Sequence, residues 1–249
     1  MKEVASQPLF PGRILGFTVI RVPFFLEPDY PEDEEFGETN RERLIRKWGG
    51  REGWERQKMR HGLKERGLQV GIERFDLDRI ASNTMKSHRL VQWATKTHGI
   101  NISEALYDEL NFRHFQGGQK LNSPAMLCDA AATVGIDRHS VESFLCSSEG
   151  LSEIRAAQSM LRRIGVSSIP TFVLGGEQLI SGALPQSELV RHLRAAERGG
   201  GGPGALFAGA LGIPPAVMAQ TLDLHRSSVT AAADAAAESA AATASPCPR

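Results

Sequence analysis

The sequence predicts an α/β chain with a small sheet and a large helical insertion. Three observations carry this prediction: a strand-like run over 15–26, a long middle block of capped helices, and a switch to two-residue periodicity over 171–181 before a last amphipathic helix. The order strand, helical block, hairpin, helix is not that of a doubly wound sheet, where strands and helices alternate.

The first run is rich in β-branched and aromatic residues (Phe17, Val19, Ile20, Val22, Phe24, Phe25), and Pro23 and Pro28 end it, so a buried strand is expected. An acidic loop over 29–38 holds six carboxylates in ten residues, and the stretch 41–66 answers with ten Lys or Arg against four Glu. Thr39 or Asn40 can cap a helix over 41–48 that Gly49 and Gly50 end. Asn83 caps a helix through His98, with Thr84, His88, Val91 and Thr95 on one face and Gly99 as its left-handed stop. Ser103 is expected to cap the next, through Phe115, closed by Gly117 and Gly118. Ser123 and Pro124 open an alanine-rich helix ending at Gly135. Helices over 140–147 and 152–164 follow, the second with Ile154, Ala157, Leu161 and Ile164 on one stripe.

Strands over 171–174 and 178–181, joined by Gly175, Gly176 and Glu177, form a β-hairpin signal that Gly182 breaks. Ser187 can start a final helix through Arg198 with Leu189, Val190 and Leu193 on its buried side. Beyond it, residues 199–249 contain 15 alanines and 7 glycines in 51 positions, and Gly209, Gly212, Pro214 and Pro215 interrupt the apolar patch 206–218. This tail reads as low-complexity, disordered and unable to bury much, with a helix expected around 231–242.

Composition removes several function classes. The 29 basic and 29 acidic side chains cancel, which removes the bulk electrostatic argument for nucleic acid or a membrane surface. Glutamates interrupt the basic stretch around Trp48 and Trp54, which suits solvated helix faces over buried tryptophans better than a base-stacking surface. No apolar run approaches the roughly 20 residues of a membrane-spanning helix, and nothing resembles a secretory leader. Cys128, Cys146 and Cys247 are odd in number and widely spaced, which suits a reducing compartment, so a cytoplasmic location is expected with an organelle left open. His61, His88, His98, His114, His139 and His192 are too scattered for a metal site, and no glycine loop cradles a phosphate.

Residues 161–183 carry a resemblance. A helix end leads through Gly165-Val166 to Ile169-Pro170-Thr171-Phe172-Val173, a glycine turn and Leu179-Ile180-Ser181-Gly182-Ala183, which resembles the closing half of a DsbA-like thioredoxin fold. Val22-Pro23-Phe24 with Leu26-Glu27-Pro28, and Asn83-Thr84 followed by Ser87-His88-Arg89-Leu90, resemble its cytosolic FrnE-type branch, related to the 2-hydroxychromene-2-carboxylate isomerases. The likeness covers about residues 17–198 and implies one thioredoxin-like domain over 1–198, with a helical insertion at about 39–160 and the tail 199–249.

The resemblance also implies thiol-disulfide exchange on protein or peptide substrates by a Cys-x-x-Cys at the start of the first helix, where the helix N-terminus favours the thiolate. No cysteine precedes Cys128, and 16 residues before Phe17 are too few for a strand and that helix, so the fold is expected to be N-terminally incomplete and catalytically impaired. No catalytic residue is assigned. What remains is a substrate-binding set: Pro170, for which the resemblance implies a cis bond, Ile169 before it, and Asn83 and His88, each with a plain alternative as helix cap and helix histidine. Two further readings stay open: a redox-inactive module binding peptide or glutathione near Ile169 and Pro170, and a glutathione-dependent isomerase using Ser6. No cofactor is assigned, with glutathione left open, and an exposed sheet edge would favour pairing of two copies.

Overall fold

The computed structural model describes residues 1–74, 76–176, 178–200 and 206–225. Along the chain these form α1 (Lys2–Ser6), β1 (Glu38–Thr39), α2 (Asn40–Lys47), α3 (Arg51–His61), α4 (Leu63–Leu68), β2 (Ile80–Ala81), α5 (Met85–His98) and α6 (Ile100–Asn111). After a π-helical turn (Phe112–Gln116) come α7 (Pro124–Thr133), α8 (Arg138–Cys146), α9 (Leu151–Arg163), β3 (Thr171–Leu174), β4 (Gln178–Ser181), α10 (Gln186–Arg198), α11 (Ala208–Leu211) and α12 (Pro215–Met218). Two compact units share this chain: residues 1–24, 91–104 and 148–225 build the first, and 25–90 with 105–147 the second.

The first unit forms around the stripe of α9. Its Ala157 and Leu161 join Ile100, Val166, Phe207, Ala208, Leu211, Ile213 and Val217 in one buried cluster, and Ile164 packs against it. Ile20, Val22 and Phe24, alternating along the chain, pack on the same cluster, as does Val173 of β3. The expected strand over 15–26 is therefore extended and turned to the core as its alternation demands, but it is not assigned as a strand. Alternation encodes which face is buried; a strand also needs a backbone partner, and Pro23 has no N–H to give one.

The tail expectation needs correcting for 206–222. The glycines and prolines that rule out a long helix instead punctuate two one-turn helices, with Gly212 in the left-handed region (φ +64) after α11 and Pro215 in the first turn of α12. This places Phe207, Leu211, Ile213 and Val217 in the core. The helix expected around 231–242 lies outside the described residues.

The same segment explains a misread helix start. Ser103 is buried inside α6, its hydroxyl bonded to the Ile100 carbonyl at 3.1 Å. The helix begins straight after Gly99 (φ +85), and its Ile100 N–H donates to Gln220 Oε1 at 3.0 Å. A cap supplied from 120 residues away leaves no local signal. Elsewhere α8 starts at Arg138, two residues before the expected 140, with Asp137 as its cap accepting from Ser140 N–H at 2.8 Å, and α10 starts after Pro185 rather than at Ser187. In α10, Leu189, Val190 and Leu193 line a shallow groove of about 300 Å³ with Met1. Buried Glu197 clamps the N-terminal segment, accepting from Leu9 N–H at 2.6 Å and from Arg194 at 2.8 Å.

In the second unit β1 and β2 pair antiparallel, Glu38 opposite Ala81, and Thr39 caps α2 through a full capping box with Glu42. Asn83 caps α5, accepting from Met85 N–H at 2.8 Å. α7 packs on α8, burying Leu127, Ala131, Val141 and Phe144, and Arg89 caps the end of α8 by donating to the Ser147 carbonyl at 2.6 Å. Buried His114 places Nδ1 2.8 Å from the Gln119 carbonyl, while its Nε2 accepts from Arg79 at 3.3 Å. Burial chiefly, and the Arg79 charge, push the imidazole down to about 4.

Two predictions follow from this packing. Leu211→Ala should lower stability by about 2–5 kcal/mol in chemical denaturation, because it opens a cavity in a closed cluster. His114 is neutral in the fold but protonates near pH 6.5 in the unfolded chain, so its contribution is intact above about pH 6.5 and is lost as pH falls toward 4, on the order of 3 kcal/mol. Denaturation midpoints across pH 7 to 4 should fall for the wild type and stay flatter for His114→Gln; carboxylates held low by hydrogen bonds, such as Asp78 and Asp137, act only at lower pH.

Candidate functional site

The hairpin presents the clearest candidate surface. β3 and β4 pair with Thr171 opposite Ser181 and Leu174 opposite Gln178. The Ile169–Pro170 peptide is cis, and the Pro170 carbonyl accepts from Gly182 N–H at 2.8 Å, where Gly182 takes the left-handed conformation (φ +95) that ends β4. Antiparallel ladders alternate bonded and non-bonded pairs, so the 170/182 bond fixes the rest: Phe172 and Leu174 bond to β4, and Thr171 and Val173 turn their N–H and C=O groups away from it. No hydrogen bond engages those outward backbone groups among the described residues.

The faces of the hairpin are equally ordered. The Val173 side packs on the core of the first unit, while on the opposite side Gln178 Nε2 lies 2.8 Å from His192 Nδ1 of α10. Thr171 Oγ1 donates to the Ser168 carbonyl at 2.7 Å and steadies the approach to Pro170. Ile169 is 50% exposed, Phe172 37% and Leu179 43%. An edge with free backbone groups and apolar side chains can bind an extended polypeptide by adding a strand. The hairpin spacing predicts the two strands; which backbone groups face outward becomes visible only through the 170/182 bond.

The other predicted binding residues lie in the second unit. Asn83 is buried, and beyond capping α5 it donates its amide to the Tyr30 carbonyl at 2.6 Å, so both ends of the side chain work inside the protein. His88 stands half-buried with its ring 5.0 Å from that of Phe25. Neither unit by itself assembles all four predicted residues, since Ile169 and Pro170 belong to the first.

The thiols offer a different environment from a reactive site. Cys128 is buried in α7 and Cys146 is exposed at the end of α8. Burial pushes the Cys128 thiol up, only partly opposed by the Arg138 charge, which suppresses the thiolate that disulfide attack needs. Cys247 lies outside the described residues. Among the described residues no group of three or more His, Cys, Asp or Glu could hold a metal ion, and no helix is long and apolar enough to cross a membrane.

Comparison with known proteins agrees with the hairpin and the helical block. None of the curated proteins matches the chain. Among solved structures, a protein described as a probable DsbA oxidoreductase from Streptomyces coelicolor is similar at 23% identity with a TM-score of 0.62, over 72% of this chain and 75% of that one, a likeness of fold. The family model for the DSBA-like thioredoxin domain matches residues 15–194, from the extended segment that lines the core to the last turns of α10. Taken with the helical insertion and the closing hairpin, that match means the chain belongs to the DSBA-like thioredoxin domain family.

Proposed function

We propose that these 249 residues bind extended polypeptide of the kind thiol-disulfide enzymes act on, without exchanging a dithiol themselves. The outward backbone of β3 beside exposed Ile169 carries the reading. A peptide laid along that edge would bond to Thr171 and Val173 and rest its side chains on Ile169 and Phe172. Two facts speak for the missing exchange: no Cys-x-x-Cys occurs in the sequence, and Cys128 is buried with its thiol pushed up. The FrnE-type branch and a cytoplasmic location go with this proposal, because the three cysteines do not form a disulfide framework.

Fluorescence anisotropy with an unfolded apolar peptide, with glutathione as a second ligand, tests the binding. The peptide should bind saturably, and Ile169→Asp should weaken it about tenfold or more at unchanged thermal stability, since the side chain is half-exposed. Equal affinity of the variant would overturn the site. Insulin reduction should stay at background for this chain and be untouched by Cys146→Ser.

A further inference from the structure

The acidic loop over 29–38 and the basic stretch after it meet only in part. Arg46 of α2 bonds Glu38, but the rest of the loop is held through its backbone, by Lys120 donating to the Glu34 carbonyl at 2.7 Å and Asn122 donating to that of Asp33 at 2.8 Å. The carboxylates of Asp29, Glu32, Glu34 and Glu35 are exposed and make no hydrogen bond or ion pair among the described residues. Four negative charges therefore stand unanswered on one short segment.

The arm over 51–74, which contains α3 and α4, has the opposite excess, seven Lys or Arg against four Glu. A single tryptophan anchors it: Trp54 is buried, with the Arg41 guanidinium of α2 5.3 Å and the Lys58 ammonium 5.0 Å from its ring. Arg51, Arg60 and Arg66 are exposed and make no ion pair among the described residues. On the same arm Met59, Leu68 and Val70 are 81%, 53% and 74% exposed. Apolar side chains this open to water, set among unpaired cations, have the make-up of an interface with an apolar centre and a charged rim. The loop has a matching character, since Leu26, 49% exposed, precedes its first carboxylate by three residues.

We propose that a second copy of this chain covers the arm with its acidic loop, the contact being made twice about a two-fold axis. Loop and arm both belong to the second unit, so each copy carries both halves of the contact. A foreign acidic partner would answer the arm and leave the carboxylates of the loop unpaired; a second copy answers both at once. A surface that leaves opposite charges unpaired within one molecule is complementary to itself across two, which is what a two-fold interface requires. The pairing is separate from the peptide edge on β3, which lies in the first unit.

Analytical ultracentrifugation of the full chain tests it. A reversible dimer is expected at low ionic strength, weakened about tenfold or more at ~0.5 M salt, because exposed charges are screened. Arg60→Glu and Glu34→Arg should each weaken the dimer about tenfold or more, since like charges then meet in both contacts. An equimolar mixture of the two variants should dimerise again, because each reversed patch finds its opposite on the other variant and the second contact is wild type. Arg163→Glu, an equal change of charge on α9 in the first unit, is the control and should leave association unchanged. All three positions are exposed, so thermal midpoints should match the wild type. A monomer up to about 1 mM, a dimer insensitive to salt as pairing of β3 edges would give, a dimer that withstands both reversals, or a mixture no better than either variant would overturn the proposal.

Discussion

The first unit depends on one constraint: none of its pieces can bury its apolar face without the α9 stripe. The hairpin has two strands of four residues, the extended segment 15–26 has no ladder, and α11 and α12 are single turns. Isolated, each would be marginal, because short elements fix many torsions for few contacts. Closing Phe207, Leu211, Ile213 and Val217 over Ala157 and Leu161 gives them a common floor. The edge of β3 is presented at a fixed height because Val173 is held on that floor.

The second unit rests more on polar pairing. A net charge of zero conceals an acidic loop met by Arg46 of α2 through Glu38, while Arg43 of the same helix pairs with Glu27 just before the loop. Lys120 holds the loop from the other side by donating to the carbonyls of Glu34 and Glu35, and Asn122 donates to that of Asp33 at 2.8 Å. Exposed pairs of this sort add little stability singly.

On the proposed reading, family membership and the chemistry of this chain separate at the cysteines. A thioredoxin-like scaffold can keep a polypeptide-binding edge without a reactive dithiol, because that edge is made of backbone groups and apolar side chains rather than sulfur. Buried Cys128 lacks the exposed setting that stabilises a thiolate, and the Arg138 charge only partly offsets its burial.

Features that rest on local chemistry can be read directly from the residues. The hairpin with its glycine turn, the caps at Thr39, Asn83 and Ser123, the stop at Gly99 and the buried stripe of α9 were legible because each is set by residues within a turn of one another. Among the residues expected to bind substrate, Ile169 and Pro170 were singled out only through resemblance, and the Asn83 side chain is engaged at both ends inside the protein. Folding alone brings residues 206–222 to the core, sets Gln220 at the start of α6 and turns the backbone groups of Thr171 and Val173 away from β4. These rest on partners far apart in the chain, and a single sequence carries no local pattern for a contact that closes only when the chain folds.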